Sequence, residues 1–336
     1  MSNESWRIEL HNWANQYTEE LAGKSGMLGV VIGGSLARGQ EWHHSDLEVG
    51  ILVREKDETL PYFNVNAGRG VEIIQLVLPQ IEAHLKQVEA GDMTPVADWP
   101  IQLWQCRIVS DPTGLLEQFK RQFDALLFTK AVIDKRIHTL RLNIQDRLAE
   151  AKQRLAQGKP VSALVEVRHA MNAMILAFHW AFGELPRSQS RTDSRLLALC
   201  QKHSFMPLYT LYRDVFALSN TADVIEHIWP KIRSNVLEIT RLWGNSAREF
   251  FIYAVDSEFK WGEDAGILTV YRLYIPVIGG ENQSLQQYLD DPNWTEQNKD
   301  LIEFLGLTAV ENEHVAELIA RIEAHIAHLS QEDKSC

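Results

Sequence analysis

Two acids stand two residues apart, shortly after a glycine turn. The run Val30-Val31-Ile32-Gly33-Gly34-Ser35-Leu36-Ala37-Arg38-Gly39 is apolar until it ends in Gly-Gly-Ser, and Ser45-Asp46-Leu47-Glu48-Val49 opens a second apolar stretch. Side chains alternate faces along a strand, so Asp46 and Glu48 point the same way. Both carboxylates then lie close to the turn. Such a pair can hold divalent cations against a nucleoside triphosphate, while backbone amides at Gly34 and Ser35 and the Ser35 hydroxyl meet phosphate oxygens. The chemistry this set performs is phosphoryl or nucleotidyl transfer.

Each residue also has a plainer role open to it. Gly-Gly-Ser makes ordinary strand-to-helix turns, and Asp46 and Glu48 could line the wet face of an edge strand. Between Leu47, Val49 and Ile51, however, two acids would repel and lose solvation unless a cation compensated them. Glu72, in Val71-Glu72-Ile73-Ile74, is a third acid within an apolar stretch. It could complete a two-cation site, take the proton of an acceptor hydroxyl, or face solvent. Arg38 lies one helical turn beyond Ser35 and could clamp the same phosphates or be a solvated helix residue.

The elements that must position these groups follow from periodicity. Trp6 to Leu21 has helical spacing; Leu28 to Ile32, Asp46 to Val53 and Val71 to Leu78 read as strands, with Ser35 to Gly39 opening a short helix. Gly68-Arg69-Gly70 is a turn signal, Pro79 ends the third strand, and Ile81 to Val88 returns to helical spacing. From Asp111-Pro112 onward the pattern is helical, over Leu115 to Leu127, Ala131 to Gln157, Val161 to Phe182, Arg195 to Lys202 and Val224 to Trp243. In the tail, Ile267 to Val277 reads as a strand, Gly279-Gly280 as a turn and Asn312 to Leu329 as an amphipathic helix. The expected class is α+β: a small mixed sheet with flanking helices over residues 1–130, a helical bundle over 131–254, and an extension over 255–336 packed on the bundle.

Composition narrows the partners. A net charge of -12 opposes non-specific nucleic-acid binding, which needs clustered Lys and Arg, and suits a cationic small-molecule substrate. Cys106, Cys200 and Cys336 are few and odd in number, so no disulfide framework is expected. The N-terminus has no signal-peptide pattern, and the apolar stretch from Ala170 to Phe182, interrupted by Asn172 and His179, reads as too short to span a bilayer. A cytoplasmic protein without membrane association is the expectation.

Gly33-Gly34-Ser35, then Asp46-Leu47-Glu48, then Glu72 resembles the signature of the DNA polymerase β-like nucleotidyltransferase superfamily. Over roughly residues 28 to 245 the chain looks most like the kanamycin (aminoglycoside) nucleotidyltransferases. Ser35-Leu36-x-Arg38 and Ser45-Asp46-x-Glu48 resemble that family's nucleotide loop and metal-binding acids, with one extra residue between them. Gly70-Val71-Glu72 falls where the family has Val-Glu-Val, and Asp98-Trp99-Pro100 resembles a further segment. Asn143-Ile144-Gln145-Asp146-Arg147-Leu148-Ala149-Glu150 and the apolar helix near Ala173-Met174 are similar to its helical part.

The resemblance implies ATP as co-substrate, Mg²⁺ on Asp46, Glu48 and Glu72, and AMP transfer to a hydroxyl of a small molecule. It implies Gly34, Ser35 and Arg38 at the nucleotide, Glu150 as general base and Arg154 at a phosphate, with Lys152 close by. A homodimer is also implied. Two other activities stay open: a protein-directed AMP transferase, similar to the minimal nucleotidyltransferases paired with helical toxins, and a nucleotide-binding regulator without turnover.

Other residues read as less chemical. His43 and His44 precede Asp46 in a loop, and His179 and Trp180 belong to an apolar helix. His314, His325 and His328 lack a metal-ligand spacing. Arg187, Arg191 and Arg195 read as a solvated loop, with contact to an anion the alternative.

Overall fold

The protein is seen in a computed structural model that describes residues 5–43, 45–186, 191–218 and 289–329, with Pro230, Lys231, Arg233 and Tyr253 besides. The helix expected over Val224–Trp243 (Pro230, Lys231 and Arg233 aside), the strand over Ile267–Val277, the Gly279-Gly280 turn, His44 and Arg187 lie outside the described residues. The chain divides into two compact units, Met1–Lys135 with Glu249–Tyr253, and Arg136–Arg248 with Ala254–Cys336. The class is α+β.

The first unit is built on a five-stranded mixed sheet in the order β3-β4-β2-β1-β5. Its strands are β1 (Met27–Ile32), β2 (Leu47–Val53), β3 (Phe63–Asn66), β4 (Arg69–Val77) and β5 (Arg107–Ser110). β2 lies at the centre, antiparallel to β1 and parallel to β4. Every residue of β2 is buried except Glu48, which is half-buried. That burial explains its near-continuous apolar run, because a central strand is covered on both faces. The edge-strand alternative for Asp46 and Glu48 is therefore excluded.

Around the sheet, α1 (Ser5–Ala22) packs on β1 and β5, with Leu10, Ala14 and Leu21 in one apolar cluster with Val30, Ile32, Val49, Ile51 and Ile73. Pro79 ends β4 as expected and sits in the first turn of α3 (Leu78–Glu89), where its missing N–H costs nothing. Between α4 (Thr94–Asp98) and α5 (Leu115–Leu126), Trp99 is buried against Phe119 and Phe123, its ring centroid 3.6 and 5.0 Å from theirs.

α6 (Lys130–Ala156) leads into the second unit, whose core helix is α7 (Pro160–Ala181). It is buried at most positions from Ser162 to Trp180, His179 and Trp180 included. A helix apolar on most sides belongs in an interior. By length and composition α7 could cross a membrane, which corrects the reading of that stretch as too short; yet 78% of its most apolar window is buried inside the protein. Against α7 pack α9 (Met206–Val215) and the last described helix, Asn312–Leu329. α8 (Thr192–Lys202) packs on α9. Two shorter helices, Pro292–Gln297 and Lys299–Phe304, precede the last one.

Arg168 of α7 is fully buried and donates to the carbonyls of Leu305 (2.6 Å), Gly306 (3.2 Å) and Val215 (3.2 Å). These carbonyls lie at or just past helix C-termini, where the backbone leaves acceptors without partners. Cys106 and Cys200 are free and buried; Cys336 lies outside the described residues.

Candidate functional site

The glycine elbow joins β1 to the short helix α2 (Gly34–Ala37). The Gly33 N–H donates to the Glu48 carbonyl at 2.8 Å, so the elbow is pinned to β2 by the backbone of an acid. A β-carbon on Gly33 would come within 2.5 Å of the Gln102 carbonyl oxygen. Gly34 adopts φ +61°, a left-handed conformation natural to glycine, and a β-carbon there would fall inside the Glu48 carboxylate. The elbow is thus shaped around an acid's side chain.

The three acids meet at this place. In the parallel β2–β4 pairing Glu48 stands opposite Glu72, and Asp46 immediately precedes β2. Glu72 is buried, at 6% exposure, so it does not face solvent. Asp46 and Glu48 are half-buried. Burial, then the neighbouring Glu72 charge, raises the Asp46 carboxyl from 3.8 to about 6. Burial, then the charges of Asp46 and Glu72, raises Glu48 well above its usual range, against the opposing pull of Arg38 and the Ser35 amide. Burial also raises Glu72, against a hydrogen bond from Tyr62. Like-charged neighbours disfavour ionisation of Asp46 and Glu48, which is the electrostatic condition a bound cation relieves.

The Glu48 carboxylate fills the space beside Gly34, and its Oε2 is fully covered and has no hydrogen-bond partner. Among the described residues no three His, Cys, Asp or Glu side chains form a ready metal cage. The donor set itself fits a hard divalent cation, being all carboxylate oxygen with one covered oxygen unpartnered.

Neighbouring side chains hold the loop before Asp46. The Ser35 hydroxyl donates to Ser45 Oγ at 3.2 Å, and Ser45 Oγ accepts from the Trp42 N–H at 2.9 Å. Arg69 donates to the His43 carbonyl at 3.0 Å, and the His43 ring lies 4.2 Å from that of Trp6. Glu41, buried, takes Arg7 at 2.8 Å and His11 at 3.1 Å from α1.

Arg38 is half-buried, so it is not a solvated helix residue. Its Nη1 donates to the Trp104 carbonyl at 3.3 Å while its Nε is buried without a partner, and its charge acts on Glu48.

In the second unit, Glu150 and Arg154 of α6 pair with each other at 2.8 Å, and Arg154 also lies 3.5 Å from Asp290. Asp290 is held as well by Lys159, at 2.7 Å. Lys152 pairs with Glu323 at 2.6 Å, beside a cavity of about 370 Å³ lined by Gln145, Leu148, Ala149, Lys152, Glu323 and Ile326.

The residue that sequence reasoning passed over is Tyr62, whose hydroxyl donates to Glu72 Oε1. Its signal was the turn at Gly68-Arg69-Gly70. Taken as a hairpin, that turn pairs β3 with β4 and sets Phe63 opposite Glu72.

No family model matches this chain, and no curated protein matches it. Among solved structures, a nucleotidyltransferase-like protein from Exiguobacterium sibiricum 255-15 is similar at a TM-score of 0.36 and 10% identity, over 96% of this chain and 92% of that one.

Proposed function

We propose that this chain is a nucleotidyltransferase that moves a nucleoside monophosphate, AMP from ATP, onto a hydroxyl of a small molecule. The observation that carries the reading is the lateral pairing of Glu48 with Glu72 at the Gly33-Gly34 elbow, with Asp46 close enough to feel the charge of Glu72 and to act on Glu48. Three acids forced together around a backbone turn have little structural use without a cation.

Asp46, Glu48 and Glu72 would hold Mg²⁺, which when bound supplies charge stabilisation at the α-phosphate and the departing pyrophosphate. Gly34 leaves room for the acid beside the elbow. Arg38, steadied by the Trp104 carbonyl, keeps a positive charge next to Glu48 for the phosphates. Glu150 would take the acceptor's proton and Arg154 would meet a phosphate, by the family resemblance. A cationic, hydroxyl-bearing acceptor such as an aminoglycoside suits the acidic chain, as do a cytoplasmic setting and a homodimer.

The experiment is transfer of label from ATP, with Mg²⁺, across a panel of hydroxyl-bearing cations. Asp46→Asn should lower transfer by about 10²–10³-fold, and a variant that kept the parental rate would remove the mechanism. One observation favours a second reading, a nucleotide-binding regulator without turnover: the Glu48 carboxylate itself fills the space beside Gly34. Tight ATP binding with no pyrophosphate release across the panel would select it.

A further inference from the structure

We propose that Tyr62 is a nucleotidylation site, so that the chain transfers a nucleoside monophosphate to its own phenol. The inference rests on the nucleotidyltransferase reading above. Tyr62 is 50% exposed, yet its hydroxyl is turned onto Oε1 of Glu72, a carboxylate at 6% exposure in the three-acid cluster. Its backbone is fixed as well: the Ile73 N–H donates to the Tyr62 carbonyl at 2.7 Å, and Phe63, the next residue, stands opposite Glu72 across β3 and β4. A nucleophilic oxygen on a half-exposed side chain is therefore held against an acid of the transfer site.

That sets a hydroxyl beside the acids that would hold the cation, where an acceptor must be placed before reaction. Other hydroxyls near the acids are differently engaged. Those of Ser35 and Ser45 bond each other. In the transfer, Tyr62 Oη forms a bond to the α-phosphorus while the bridging P–O bond to the β-phosphate breaks. Pyrophosphate leaves with that electron pair, and the phenol proton passes to solvent water. No oxidant or reductant is needed.

The test incubates the full chain with Mg²⁺ and ATP, GTP, CTP or UTP, with no other acceptor, and reads intact mass and a peptide map. Nucleotide binding by equilibrium dialysis and pyrophosphate release to added acceptors are measured alongside. The expected result is one nucleoside monophosphate on the peptide containing Tyr62, with label falling at least about tenfold in Tyr62→Phe and in Asp46→Asn. The parental peptide map places the label independently of how well either variant folds. A chain that binds nucleotide and serves added acceptors but stays unlabelled discards Tyr62 alone. A chain that neither binds nor releases pyrophosphate discards the transferase reading with it. Parental labelling of Tyr62→Phe also overturns the proposal.

Discussion

Gly34 and Glu48 share one small volume: the space a side chain at Gly34 would fill is taken by the Glu48 carboxylate. Gly34→Ala therefore combines two faults. A non-glycine residue at φ +61° costs about 1–2 kcal/mol, and the new methyl must push the acid from its place. Thermal unfolding should show that loss, and titration with Mn²⁺ should show weakened binding. An alanine variant that binds the cation like its parent would separate the elbow from the acid site.

The raised acids make stability depend on pH in a stated direction. Asp46 titrates at 3.8 when unperturbed and at about 6 in the folded chain, so the native state holds its proton more tightly than the unfolded chain does. The Asp46 contribution to stability is then full below about pH 4 and is lost as pH rises through about 6. Denaturant titrations at several pH values should show this fall, and Asp46→Asn should flatten it. A parental slope in that variant would contradict the assigned cause.

A divalent cation should reverse the same penalty. At neutral pH, where the three acids are driven toward ionisation, saturating Mg²⁺ or Mn²⁺ at a hundred times its dissociation constant should add about 2.7 kcal/mol. Near pH 4.5 protons already relieve the repulsion, and the gain should shrink. Glu48→Gln and Glu72→Gln should each remove most of it. Equal stabilisation at both pH values would place the ion elsewhere.

Arg168 offers a stability prediction in the second unit. Arg168→Ala leaves the carbonyls of Val215, Leu305 and Gly306 without that donor and opens a cavity in the core. A loss of about 3 kcal/mol or more is expected from unsatisfied buried acceptors alone, read by denaturant unfolding. A change under about 1 kcal/mol would mean that water replaces the guanidinium without penalty.

Much of the first unit could be read locally. β1, β2 and β4 are apolar runs bounded by glycine, proline or polar turns, and the structure moves their ends by one or two residues. The last helix, Asn312–Leu329, has the expected bounds. β3 and β5 escaped because each has only four residues, mostly outside the core, with no long apolar run to mark it. α9 escaped because Pro207, which suits a helix's first turn, reads equally well as a break.

The amino-acid order alone determined the kinds of chemistry on offer, namely a glycine elbow, paired acids on one strand and a third acid on another. It did so because strand periodicity and turn preference act over a few residues. Whether Glu48 faces Glu72, whether Gly34 yields its space to an acid, and whether the Tyr62 phenol reaches that group were decided only in three dimensions. Strand order and register join residues far apart in the chain, and no local pattern specifies which distant partner a strand will take.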